Sequence, residues 1–139
     1  MFNPEMTVAA INRMSERTLA ANLGIEFTEV GADFMRARMP VDRRTLQPYG
    51  LLHGGASIAL AETMGSVASN AMIDQKSLTA VGLDINGNHL RTVSEGDVTG
   101  TVRPIHIGRR THVWEIRIED ENCRLINISR LTMMIIQRP

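Results

Sequence analysis

The stretch Ala56-Ser57-Ile58-Ala59-Leu60-Ala61-Glu62-Thr63-Met64-Gly65-Ser66-Val67-Ala68-Ser69-Asn70-Ala71-Met72-Ile73-Asp74 decides the fold. It is rich in Ala, Met and Ser, has no proline, and predicts a helix over 56–74. At 1.5 Å per residue that helix would be about 28 Å long, enough to cross a small domain. Projected on a helical wheel, Leu60, Met64, Val67 and Ala71 share a face suited to packing on a sheet. Gly55, Glu62, Ser66 and Ser69 share the other. Two strand-like runs precede the helix, at 25–30 and 34–39, and four follow it, at 79–90, 97–107, 112–119 and 125–136. No helical pattern separates the last four, so they are expected to pair antiparallel. The fold class is α+β, one sheet packed on one long helix. Near the N-terminus, Thr7 is placed to cap a short helix carrying Val8, Ile11 and Met14, with Gly24 as a stop after a further turn or two.

A chain of 139 residues fits a single domain spanning 1–139. Fifteen Lys and Arg balance fifteen Asp and Glu, so no global positive field exists to gather nucleic acid. The single cysteine, Cys123, excludes an internal disulfide and a cysteine-built zinc site, and fits a reducing compartment. The four histidines show no ligand spacing, so no metal is expected. Glu5, Asn12, Arg13 and Glu16 break up the N-terminus, and Glu62, Ser66, Ser69 and Asn70 interrupt the most apolar run. The expectation is a cytoplasmic protein without a membrane partner.

The residues ahead of the helix carry the chemistry. Leu51-Leu52-His53-Gly54-Gly55 puts two glycines where backbone N–H groups lack intrahelical partners. Such glycines let a ligand oxygen approach bare amides, and the helix dipole adds positive potential. A turn in which His53 bonds its neighbours is the plainer alternative. Glu62 likewise reads either as a solvated polar position or as a carboxylate held among small residues.

The run Gln47-Pro48-Tyr49-Gly50-Leu51-Leu52-His53-Gly54-Gly55-Ala56-Ser57, with Ala61-Glu62-Thr63-Met64-Gly65-Ser66, resembles the hotdog-fold acyl-CoA thioesterases. Within them it is most similar to the small bacterial group with a glutamate on the central helix, which includes 1,4-dihydroxy-2-naphthoyl-CoA hydrolase and the proofreading thioesterase of enterobactin synthesis. Val81-Gly82-Leu83-Asp84-Ile85-Asn86, Asn88-His89 and Ser129-Arg130-Leu131-Thr132 agree with it.

The resemblance implies an antiparallel sheet wrapped around the long helix and hydrolysis of an acyl-CoA thioester. Glu62 would be nucleophile or general base, and the Gly55 N–H would polarise the carbonyl. Gln47 and His53 would hold the carbonyl or the water, and Ser66 the substrate or Glu62. It also implies a homodimer, assembling to a homotetramer, with the active site shared between subunits. Seven residues, about 10 Å of helix, separate Gly55 from Glu62, so an antiparallel partner helix would bring them to one carbonyl more easily. Coenzyme A enters as part of the substrate, with no separate cofactor. Its phosphates require local positive charge, for which His89, Arg91, Arg103, His106, Arg109 and Arg110 are candidates, with Gly108 allowing close approach. Val81 and Gly82 offer a strand edge to the pantetheine arm. The expected acyl group is aromatic, 1,4-dihydroxy-2-naphthoyl above all. The alternatives are a proofreading enzyme acting on acyl carrier protein and a non-catalytic acyl-CoA-binding module. Two departures stand out: Glu121-Asn122-Cys123 replaces a glycine turn, with Asn122 expected to be left-handed, and Gly87 is expected to loosen a strand.

Overall fold

The computed structural model describes residues 1–139. Its elements are α1 (Val8–Met14), α2 (Leu19–Asn22), β1 (Glu26–Val30), β2 (Met35–Pro40), α3 (Gly54–Asn70), β3 (Leu78–His89), β4 (Asp97–Ile107), β5 (Thr111–Glu119) and β6 (Leu125–Gln137). Thr7 caps α1 by accepting the Ala10 N–H at 3.2 Å, and Gly24 follows α2 with φ +74°. The strands form one six-stranded sheet in the order β1-β2-β4-β5-β6-β3. Every pairing is antiparallel. The chain leaves β2, runs through α3, and enters the sheet again at the far edge as β3, with β4, β5 and β6 in between. Register shifts in β1, β3, β4 and at the end of β5 add local twist and bend. The curved sheet surrounds α3, which touches β2, β3, β4, β5 and β6.

Alternation in the strands explains the core. Met35, Ala37 and Met39 of β2, Val98 and Val102 of β4, and Trp114, Ile116 and Ile118 of β5 are all fully buried, their neighbours pointing outward. Against them α3 buries Ala56–Ser57, Leu60–Ala61, Met64–Gly65 and Ala68–Ser69. This stripe is rotated from the face expected on the wheel toward the small residues, which let helix and sheet approach closely. Val67 therefore lies at the side of the helix, half-buried, and Ser69 lies inside. Ser69 is needed there: its Oγ accepts the Trp114 indole N–H at 2.6 Å and lies 3.2 Å from His112 Nδ1.

Three further expectations are corrected. The helix starts two residues earlier, at Gly54, because the His53 ring caps it, and stops at Asn70 rather than Asp74. Asn70 spends its side chain on the Ser66 carbonyl and the Ala80 N–H, and Asp74 folds back onto the Lys76 N–H and the Ser77 hydroxyl, turning the chain toward β3. In the β5–β6 turn the left-handed residue is Cys123, φ +58°, not Asn122; the Asp120 carboxylate gathers the Asn122 and Arg124 N–H groups around it. Gly87 does not loosen its strand. A Cβ there would meet Ser129 Oγ and lie 2.9 Å from Ile58 Cδ1, so the missing side chain is what seats α3 on β3.

Burial pushes the His112 imidazole below the ordinary histidine range; a hydrogen bond to the Gly108 backbone opposes this, and the charge on His106 adds to it. The unfolded chain therefore binds the proton more readily than the folded one. The stability this confers is complete above the ordinary histidine pKa of about 6.5 and is lost as pH falls through it toward the folded value. Urea midpoints measured from about pH 8 to about pH 5 should fall in the wild type and fall less in His112→Phe.

Candidate active site

The outer side of α3 forms one wall of a groove of about 600 Å³, presenting Gly55, Ile58, Ala59, Glu62, Thr63, Ser66 and Val67. The facing wall comes from the α1–α2 segment: Ile11, Met14, Ser15, Thr18, Leu19 and Ala20. Arg17 lies between those helices with φ +60°, the sharp bend that turns both toward α3. Sequence reasoning missed this wall. Only the structure marks it, through Met14 and Leu19, large apolar side chains left 58% and 61% exposed at the groove's lip.

Glu62 is half-buried in the middle of the groove, and its carboxylate makes no hydrogen bond or ion pair. It lies over β3: a Cβ on Gly82 would stand 2.5 Å from Glu62 Oε1. The strand thus leaves room for the carboxylate at the register shift between Gly82 and Asp84. Ser66 lies one turn further along the groove with its hydroxyl 3.7 Å from Met133 Sδ, not on Glu62. Gly55 stands at the groove's other end. Its N–H is not bare, because it donates to His53 Nδ1 at 2.7 Å. Gln47 is outside the groove, in the loop before α3, where its side-chain oxygen accepts the Tyr49 N–H.

The residues expected to hold coenzyme A separate into two groups. His89 ends β3 beside the α3 N-terminus, where a Cβ on Gly54 would lie 2.9 Å from its Nε2, and Arg91 follows two residues later. Val81, Gly82 and the turn carrying His106, Gly108, Arg109 and Arg110 belong to the opposite end. Val81 pairs with Met134, which pairs with Thr111 on β5. The eight residue steps from Val81 to His89 span roughly 26 Å at strand rise. Arg103 is committed elsewhere, to Asp33 at 3.2 Å. Arg109 and Arg110 are exposed and have no carboxylate partner.

A helix-lined groove with an unpaired carboxylate and a helix N-terminus suits acyl transfer to water. The thioesterase superfamily model matches residues 49–127. The chain belongs to the thioesterase superfamily. This thioesterase is 48% identical over 136 residues to the 1,4-dihydroxy-2-naphthoyl-CoA hydrolase of Escherichia coli, covering 98% of this chain and 99% of that one. It is 50% identical over 127 residues to the proofreading thioesterase EntH of Klebsiella pneumoniae, covering 91% and 92%. A solved thioesterase of Haemophilus influenzae superposes with TM-score 0.94 at 45% identity, covering 98% of this chain and 94% of that chain. A glutamine-to-alanine mutant thioesterase of Pseudomonas aeruginosa superposes with TM-score 0.97 at 41% identity, covering 99% of both chains. The sheet curled about α3 is the hotdog fold, and the enzyme is a thioester hydrolase. No helix is long and apolar enough to cross a membrane.

Gly82 supplies a direct check on the carboxylate. A methyl group at this exposed position displaces Glu62 Oε1, so Gly82→Ala is expected to lower kcat for thioester hydrolysis roughly ten- to a hundredfold. The urea midpoint should stay near that of the wild type.

Proposed function

We propose that this thioesterase hydrolyses aromatic acyl-CoA thioesters, with 1,4-dihydroxy-2-naphthoyl-CoA the favoured substrate, in the cytoplasm. The observation that carries the chemistry is the unpaired Glu62 carboxylate, half-buried in an apolar groove whose far end is a helix N-terminus. As general base, Glu62 takes a proton from water while the water oxygen attacks the carbonyl carbon, and the C–S bond then breaks to release coenzyme A. As nucleophile, the carboxylate adds directly, coenzyme A leaves as thiolate, and water opens the resulting anhydride. On either route negative charge develops on the carbonyl oxygen, and the Gly55 N–H stabilises it with the helix dipole behind it. The substrate oxygen takes the place that His53 Nδ1 fills in the free enzyme, and the displaced ring and Gln47 hold the carbonyl or the water. Ser66 lines the acyl end. The groove volume and its Met14, Leu19, Ile58 and Val67 walls suit a flat aromatic group. An exposed free thiol, Cys123, fits the reducing cytoplasm.

The working unit in this reading is a homodimer. β3 is an edge strand of twelve residues, with Val81 and Leu83 40% and 57% exposed and one side of its backbone unpaired. Joining two copies antiparallel along this edge aligns the N-terminal end of one α3 with the middle of the other. Gly55, His53 and Gln47 of one subunit then meet Glu62 of its partner. The same operation brings His89 and Arg91 of one chain toward Val81, Gly82 and the Arg109–Arg110 turn of the other, so one coenzyme A can use both groups. Exposed Ile105, Ile107, Met134 and Ile136 on the sheet give two dimers an apolar surface on which to form the homotetramer.

Turnover of benzoyl-CoA tests the chemistry: Glu62→Ala should lose roughly 10²–10⁴ in kcat while remaining folded. Hydrolysis undiminished in the variant removes Glu62 from the mechanism. Ranking kcat/KM over aromatic, aliphatic and carrier-protein-bound thioesters tests the substrate; a preference for acyl carrier protein would favour a proofreading role, and binding without turnover a non-catalytic one. Leu83→Asp, which charges the β3 edge, should yield an inactive monomer by sedimentation and assay. A fully active monomer would sink the shared site.

A further inference from the structure

A buried hydrogen-bond chain runs from the core to His112, at the start of β5 beside the β4–β5 turn. It starts at Trp114, fully buried, whose indole nitrogen can only donate, and does so to Ser69 Oγ at 2.6 Å. His112 Nδ1 lies 3.2 Å from the same oxygen, so Ser69 Oγ joins the two rings. His112 directly follows the turn as the second residue of β5, and it pairs across the hairpin with Ile107 of β4. Ser69 and His112 are 0% and 3% exposed, so water does not compete.

Next to the end of this chain is the turn that separates β4 from β5. The Gly108 N–H donates to Thr111 O at 2.9 Å, and the Ile135 N–H of β6 donates to Arg110 O at 2.8 Å. The turn is thus tied to its own hairpin and to the next strand, and His112, the second residue after Arg110, ties the start of β5 to the helix. Arg109 and Arg110 project from it without acidic partners, and the His106 ring lies over Gly108, 2.7 Å from where a Cβ would be. Three basic side chains thus share one anchored turn, an arrangement suited to an anion with several oxygens.

We propose that Ser69 and His112 are positioning residues for coenzyme A: the chain Trp114–Ser69–His112 anchors the start of β5 to α3 and so holds the adjoining Arg109–Arg110 turn in the shape that receives the substrate's phosphates. This rests on the reading of that turn as a phosphate contact. Neither residue touches the reacting atoms. A turn released from the chain pays ordering entropy when it binds phosphate, so the effect falls on KM rather than on kcat.

The experiment compares benzoyl-CoA with benzoyl-pantetheine, which lacks the phosphates. Ser69→Ala and His112→Phe are expected to raise KM for benzoyl-CoA roughly three- to tenfold, the loss of about one hydrogen bond's worth of order, with kcat little changed. Neither should alter KM for benzoyl-pantetheine. Ser69→Thr, which keeps the hydroxyl, should restore the wild-type KM, and His112→Gln serves where the phenylalanine variant does not fold. Arg109→Ala with Arg110→Ala should raise KM for benzoyl-CoA alone, and adding His112→Phe to that pair should then change nothing further. An unchanged KM in the double arginine variant overturns the phosphate reading of the turn. A raised KM there, with Ser69→Ala and His112→Phe left at the wild-type value, overturns the positioning role by itself. Equal losses on both thioesters, or a fall in kcat, would show a general packing defect and overturn it as well.

Discussion

Everything in this molecule depends on α3 lying against a sheet that bends around it. Because β3 joins the edge opposite to β1 and β2, the segment through α3 must cross the whole inner face before the sheet can be completed. A helix in that position has strands on several sides and room for few large side chains. Pairs of small and apolar residues from Ala56–Ser57 to Ala68–Ser69 meet that demand, and Gly87 on β3 meets it from the strand side. The side of α3 left uncovered by the sheet is the only place on it where a polar group can remain accessible, and Glu62 stands there, facing the α1–α2 segment.

The same path divides the functional groups. α3 and β3 run in opposite directions, so the helix N-terminus lies beside the end of β3, and Glu62 lies over the middle of the strand. Donors suited to a carbonyl oxygen collect at one end and the unpaired dibasic turn at the other. In the proposed dimer, a second chain laid antiparallel along the bare edge would bring opposite ends together without any change inside either chain. The exposed apolar residues Val81 and Leu83, costly on a monomer's edge, fit that arrangement.

Much of this was legible in the sequence. Strand alternation and the one proline-free helix gave the α+β order, and the Gly54-Gly55 pair marked the helix start. What escaped were features set by contacts between distant segments. Val67 and Ser69 exchanged places because the buried stripe follows the smallest residues, not the mean apolar direction of the wheel. Ser69 is also drawn inward by Trp114 and His112, more than forty residues away. The left-handed Cys123 escaped because Asp120 organises its turn from three residues back, overriding the local preference of Asn122. The groove's second wall escaped for a similar reason, since a short amphipathic helix looks the same whether its edge faces water or a substrate.

His53 gives the helix start a resident ligand. Its ring occupies the Gly55 N–H in the free enzyme, so the positive end of α3 is never an open anion trap. If the Gly55 N–H receives the carbonyl oxygen as proposed, that oxygen must outcompete an imidazole nitrogen already held beside its target. A carbonyl acquiring negative charge would do this far better than a ground-state thioester. The ring is equally ready to return to Gly55 once that charge is gone. In that reading a self-capping residue favours the fleeting species over the stable ones on either side of it, and the free enzyme's own hydrogen bond becomes a source of selectivity.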